Sequence, residues 1–253
     1  MPKPSTVETS HVVLAAAAAA LALGACSHVP LPPAPVRQPV EIKDNTTIGS
    51  ARISWHDAPE TTRAGTFAPG MEIEYDRGLG RSNQHLGANE FIQIDGKTLF
   101  GPQDVRHHAD LRYGHLAIDV IWSFPVRAPR LELEWVVGLG QAQLGLRSES
   151  RTLAVDPLVS KYSLSGVVIG VGPRWNFTDS LALEARVQAL SSSPSSDDRF
   201  WYREIAARYR PVKNVAIRMG YSEMDYRPAS LSDGDSPVRV RMYGPFLGLD
   251  FPF

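Results

Sequence analysis

A chain of 253 residues can form one large domain or two small ones, and its 43% hydrophobic and 21% charged residues read as globular. A net charge of -1 without a basic block excludes a nucleic-acid partner, because nothing stands ready to neutralise phosphates. Cys26 is the only cysteine, which excludes an intramolecular disulfide and any cysteine-cluster metal site.

The first element is the alanine-rich run Val12 to Leu23, too short to span a bilayer as a helix and placed where a signal peptide has its apolar region. Residues 1–25 are therefore expected to be a cleavable signal. The run ends Leu23-Gly24-Ala25-Cys26, small residues leading into a cysteine. It resembles the lipobox of bacterial lipoproteins, and the resemblance implies lipidation of Cys26 at a new N-terminus. One departure is the weak basic region, where Lys3 is opposed by Glu8. A plain cleavage site with a chance cysteine beside it is the alternative.

Next comes Val29-Pro30-Leu31-Pro32-Pro33-Ala34-Pro35, which favours an extended, semi-rigid chain. Residues 26–66 are expected to be a periplasmic tether. From Phe67 onward, apolar and polar residues alternate with period two, broken by clusters of Gly, Pro, Asp, Asn and Ser, and no solenoid repeat is visible. Eight such segments occur, at about 69–76, 115–124, 131–140, 166–177, 181–188, 203–209, 215–222 and 243–253. The sixth is the least regular, with Arg203 on its apolar side. Short connections at 125–130, 178–180 and 211–214 interleave with long polar ones at 77–106, 147–161, 191–198 and 227–237. Residues 67–253 therefore predict an all-β, antiparallel up-and-down transmembrane barrel of about eight strands, with both chain ends on the short-turn, periplasmic side.

Alternation alone also fits a soluble barrel with its apolar face inside. Two features favour the membrane form. Trp122, Phe124, Trp135, Trp175, Phe177, Tyr209, Phe251 and Phe253 gather beside the short turns, and Tyr75, Tyr221 and Tyr243 at the other ends, as interfacial girdles do. The polar face also carries Gly138, Gly140, Gly166, Gly170, Gly172, Gly220, Gly244 and Gly248, which relieves crowding inside a narrow barrel. The G-x-W signature of lipocalins is missing.

Strand number, loop alternation and the terminal aromatic strand resemble the small eight-stranded outer-membrane barrels: the OmpA membrane domain, OmpX, and the opacity and OmpW types. The resemblance covers about 67–253. It implies outer-membrane lipid and the barrel-assembly machinery as partners, with Phe251 and Phe253 in the assembly signal, a monomer, and possible extracellular partners at the loops.

With the polar face inward, the lumen collects Glu72, Glu74, Asp119, Glu132, Glu134, Glu184, Glu204 and Asp250 with Arg174, Arg186, Arg208, Arg218 and His115. Isolated buried charge is costly, so these groups are expected to pair into a packed interior closed to solutes, with a narrow porin-like channel as the alternative. His107, His108 and His115 are close in sequence, but the first two point to opposite faces of any strand, so neither metal nor cofactor is expected. Ser163 and Ser165 lie near the outer rim without a His and a carboxylate at matching heights. A structural or surface-interaction protein is thus expected rather than an enzyme; lipid A modification and a lipocalin-like, ligand-binding lipoprotein are the alternatives. Finally, Asp95-Gly96 between Phe91 and Phe100 predicts a hairpin that extends the wall or offers a sheet edge to a partner.

Overall fold

Alternating sequences of this length have only one way to satisfy their backbone, which is to pair side by side. The computed structural model describes residues 33–56, 67–124, 130–193, 197–229 and 234–252. The signal region, Cys26 and Phe253 lie outside them. Among the described residues there are thirteen strands and no helix: β1 (Val36–Arg37), β2 (Val40–Asn45), β3 (Ile48–His56), β4 (Phe67–Leu86), β5 (Glu90–Ile94), β6 (Lys97–Phe100), β7 (Gln103–Ser123), β8 (Arg130–Ser150), β9 (Leu158–Asn176), β10 (Leu181–Ser191), β11 (Arg199–Val212), β12 (Val215–Arg227) and β13 (Val238–Pro252).

Ten strands form one sheet in the order β12-β11-β10-β9-β8-β7-β4-β3-β13-β2, and a further β12–β13 pairing makes the sheet ring round on itself. β2 and β3 follow one another along the same edge of β13, Val40 opposite Val238 and Ile48 opposite Phe246, so the ten strands fill nine positions. The break between them falls at Thr46. An added Cβ on Gly244 would lie 2.2 Å from the Thr46 carbonyl oxygen, so only glycine admits this approach.

All eight expected strands are present, as β4 and β7 to β13. The count of eight is corrected by the segment 40–56, which was assigned to the tether and instead completes the ring. Its signal is weak because the alternation is interrupted, and the inward residues of β3 include Arg52 and Ser54. Two further expectations change with it. The sheet is not wholly antiparallel, since β2 and β3 run parallel to β13. The first and last strands of the ring also do not begin and end on one side: Val40 starts beside Val238, at the end with the long connections, while Pro252 lies beside Ser54 at the short-turn end.

The strands exceed what one face pattern needs. β7 and β8 each have 21 residues, and along each the chemistry of the two faces exchanges. In the short-turn half the row Ile73, Leu116, Leu139, Val167 runs across β4, β7, β8 and β9 on the outside. Toward the long connections the row Arg77, Arg112, Gln143, Ser163 takes the same face. Inside, the order is reversed. Glu72, Glu74, Asp119 and Glu134 are buried in the short-turn half, and Leu111, Leu144, Tyr162 and Leu164 in the other.

The expected hairpin exists, with Asp95 at φ 52° and Gly96 at φ 70°, as a two-residue turn of this kind requires. It does not extend the wall. β1, β5 and β6 form a separate three-stranded sheet in that order, and Ile92, Ile94 and Leu99 are buried with the lining of the long-connection half. A backbone bond from Ser236 N–H to the Gln93 carbonyl (2.7 Å) and a bond from Gln93 N–H to the Ser236 side-chain Oγ (3.0 Å) tie the hairpin to the segment before β13. Ile92, Ile94 and Leu99 are thus covered from within, while Phe100 is 62% exposed on the outer side of the hairpin.

Candidate functional site

The inward residues of the short-turn half form one connected network of ions. Arg218, fully buried on β12, donates from Nη1 to Glu74 Oε1 (3.0 Å) and from Nε to Glu184 Oε1 (2.9 Å), and also pairs with Glu204. Arg186 on β10 donates to Glu72 Oε1 (2.9 Å), Glu74 Oε2 (3.1 Å) and Glu134 Oε1 (2.8 Å). Arg174 on β9 reaches Glu184 Oε2 at 3.3 Å, Glu134 Oε2 at 3.5 Å and Glu132 Oε2 at 3.7 Å. Nearer the short turns, Arg208 donates to Asp250 Oδ2 from Nη2 (2.6 Å) and Nε (2.9 Å), and Ser54 Oγ donates to Asp250 Oδ1 (2.9 Å).

Every lumen residue expected from the sequence is buried on this inner face, Asp119 included. One central member was missed. Arg52, 2% exposed on β3, donates to Glu74 Oε1 (2.9 Å) and lies 3.6 Å from Glu72 Oε2. An arginine placed two residues from Ser54 and Ser50, on a face shared with Ile48, is the alternation that would have revealed it. Phe251 is half-buried on β13, next to this end.

Glu72, Glu74 and His115 bring ligand atoms within 4.8 Å of one another, and His115 Nε2 sits 2.8 Å from Glu72 Oε1. The same carboxylates accept from Arg52, Arg186 and Arg218, so a metal ion would have to enter against three guanidiniums. The group belongs to the ion network.

A serine and a histidine do meet in the other half, where β7 and β8 pair. His107 Nδ1 is 2.7 Å from Ser148 Oγ, and His107 Nε2 is 3.0 Å from Gln84 Oε1. The third group is an amide, the ring and Ser148 are fully buried with Gln84 half-buried beside them, and burial together with His108 holds the imidazole down to about 4. An enclosed pair with so weak a base has no route to substrate and little proton affinity near neutrality. His108 faces outward instead, 3.4 Å from Glu149. Ser163 and Ser165 lie on the outer face, as expected, Ser163 beside Gln141.

The outer face of the short-turn half is apolar: Ile118 is 61% exposed, Leu139 69% and Ile169 60%. Trp122 lies between Phe67 (6.0 Å between rings) and Phe124 (4.3 Å) at the short-turn edge, and Tyr221 and Tyr243 approach to 6.4 Å near the opposite edge. No family model, curated protein or solved structure matches this chain.

Proposed function

We propose that the chain is an integral outer-membrane β-barrel whose short-turn half crosses the bilayer and whose long-connection half stands in water. The observation that carries this reading is the exchange of faces along each long strand. Large apolar side chains exposed on β3, β4 and every strand from β7 to β13, from 42% at Val187 to 69% at Leu139, are unfavourable in water at about 25 cal/mol per Å2 and favourable against lipid tails. Inward charges that satisfy one another are what such a barrel needs inside.

The dimensions agree. Leu131, Leu133, Trp135, Val137 and Leu139 face outward along β8. Eight steps of roughly 3.3 Å at a tilt near 40° give a belt of about 20 Å, close to the roughly 25 Å band of outer-membrane barrels. A crossing needs about 9–11 residues. Strands of 21 residues therefore extend well beyond it. No described helix is long and apolar enough to cross a membrane, which says nothing of strands.

In this reading the lumen is closed twice, by the ion network below and by the hairpin and its apolar surroundings above. That favours a structural or surface-interaction role over a channel. A soluble ligand-carrying barrel would need its apolar belt inside. Orientation follows from the connections, the long ones outward, with β13 ending on the periplasmic side. Val40 then starts on the outer side, so a lipid on Cys26 would join the barrel through the chain leading to its exposed end.

Carbonate extraction of outer membranes, with gel mobility of heated and unheated samples, tests the reading. Retention in the membrane and faster migration of the unheated form are expected. Release by carbonate, or no mobility difference, would overturn it.

A further inference from the structure

The outer belt is not uniform. Between β9 and β12 it dips into a groove of about 320 Å3, floored by Val171, Pro173, Ala185, Val187, Ile205 and Tyr221. The dip has a local cause. Pro173 has no N–H to donate, the β9–β10 ladder skips it, and the outward residue beside it on β10 is the small Ala185.

At the edge toward the long connections the groove is capped by a cluster of charges. Glu223 accepts a forked pair from Arg241, Nε to Oε1 at 2.8 Å and Nη2 to Oε2 at 3.1 Å, and a third bond from Arg203 Nη1 at 2.9 Å. Two guanidiniums thus share one carboxylate. Lys43 stands opposite Arg241 on the neighbouring strand, and Arg239 is matched by Asp225. Arg203 is 47% exposed in its side chain and lies over the Trp201 ring at 6.0 Å, with Tyr221 and Tyr243 one row below and beside it.

An apolar channel ending at excess positive charge, with aromatic rings at the boundary, has the shape of an acyl chain joined to an anionic headgroup. The edge faces the outer leaflet when the long connections face outward. We infer that this groove holds the phosphorylated, multiply acylated lipid of that leaflet, lipid A, with one acyl chain over Ala185 and a phosphate on Arg203 and Arg241. This rests on the membrane reading above.

A second cluster provides a control. On the far side of the ring, Arg77 and Arg112 share Asp110, at 2.9 and 2.6 Å. The groove that Asp110 borders, about 310 Å3, runs past Leu79, Arg81, Arg147 and Lys161 toward the long connections, away from the apolar belt.

The test is native mass spectrometry of the full chain, purified from outer membranes in a neutral detergent and titrated with purified lipid A, phosphatidylglycerol, phosphatidylcholine or inorganic phosphate. Lipid A should be retained best. R203Q with R241Q should weaken its retention about tenfold, the scale of one or two charge-assisted bonds. Ala185→Phe should also weaken it by filling the groove without touching the charges, while R77Q with R112Q should leave it unchanged. Each variant is first shown to keep its heat-dependent mobility, so that loss of lipid is separate from loss of fold. Equal retention of phosphatidylcholine or phosphatidylglycerol, displacement of lipid A by inorganic phosphate alone, or indifference to R203Q with R241Q would overturn the assignment. In each of those cases an intact mobility shift leaves the barrel reading standing; a wild-type chain without the shift removes both.

Discussion

Along β7 the inward residues near the short turns are Asp119 and His115, and near the long connections they are Tyr113, Leu111 and Ala109. Outward, the same strand runs from Ile118 and Leu116 to Arg112 and Asp110. Under the proposed membrane placement, each half buries what its surroundings would reject. A sheet that pairs continuously through both halves obtains its backbone bonds in the same way throughout, so only the side chains tell the halves apart. The apolar half is held by burial, which is non-directional and tolerates repacking. The charged half is held by directional bonds among groups that are each costly to leave alone. The two halves should therefore fail differently.

The largest effect is expected where one cation serves several acids. Arg218→Leu removes one cation shared by Glu74, Glu184 and Glu204 and leaves their buried charge compensated only by Arg52, Arg186 and Arg174. A loss of about 3–5 kcal/mol is expected, read from urea unfolding in lipid vesicles followed by gel mobility. Stability close to wild type would mean that the lower interior is wet enough to solvate the three acids.

The outer face gives the next comparison. Val137 and Gln141 both point outward on β8, two outward positions apart, and Val137 is 56% exposed. If the belt lies in lipid as proposed, Val137→Arg should cost about 2–4 kcal/mol in a bilayer, as arginine does near the midplane of outer-membrane barrels. Gln141→Arg should change stability by no more than about 0.5 kcal/mol. Equal effects at the two positions would place the edge of the belt elsewhere.

How much of this was legible follows from the same faces. Eight strands could be read because each carries four or more alternating positions and a clear break at its ends. The exchange of faces was hidden by the assumption that alternation stops where the apolar face stops. Arg77, Leu79 and Arg81 continue β4 outward, but they look like loop when only the apolar stripe is followed. β2 and β3 were missed for a related reason. Their inward residues change from Val40 and Ile42 to Arg52 and Ser54, so neither face is consistently apolar. The lumen acids were readable from register alone, since period two fixes the face. Which arginine meets which acid was not, because Arg218 and Glu74 are separated by 144 residues and meet only across the closed ring.

A third, smaller effect separates the halves by pH. His107 is buried in the apolar half and held down to about 4, from an ordinary 6.5, by burial and by His108. Between those values the unfolded chain binds a proton that the folded chain does not. Stability therefore rises with pH across that window, and falls on acidification by up to about 3 kcal/mol from this group. His107→Gln should flatten the difference between pH 6.5 and pH 4 relative to wild type, measured by denaturant midpoints at each pH. A slope unchanged by the substitution would show that the imidazole titrates normally and that water reaches the pair it makes with Ser148.

The smallest effect is the most direct contrast of the two halves, because it removes the same residue type in the other setting. Arg77 shares Asp110 with Arg112 at the outer surface, with its side chain 47% exposed, whereas Arg218 is wholly enclosed. Water and salt stand in for a surface partner, and the flexible side chain regains its freedom when released. Arg77→Ala should leave the urea midpoint within experimental error at physiological ionic strength. A clear loss at low salt that disappears at high salt would still be screening of an exposed pair. A loss as large as that of Arg218→Leu, insensitive to salt, would mean that lipid rather than water surrounds Arg77, and the boundary between the halves would move outward by a row.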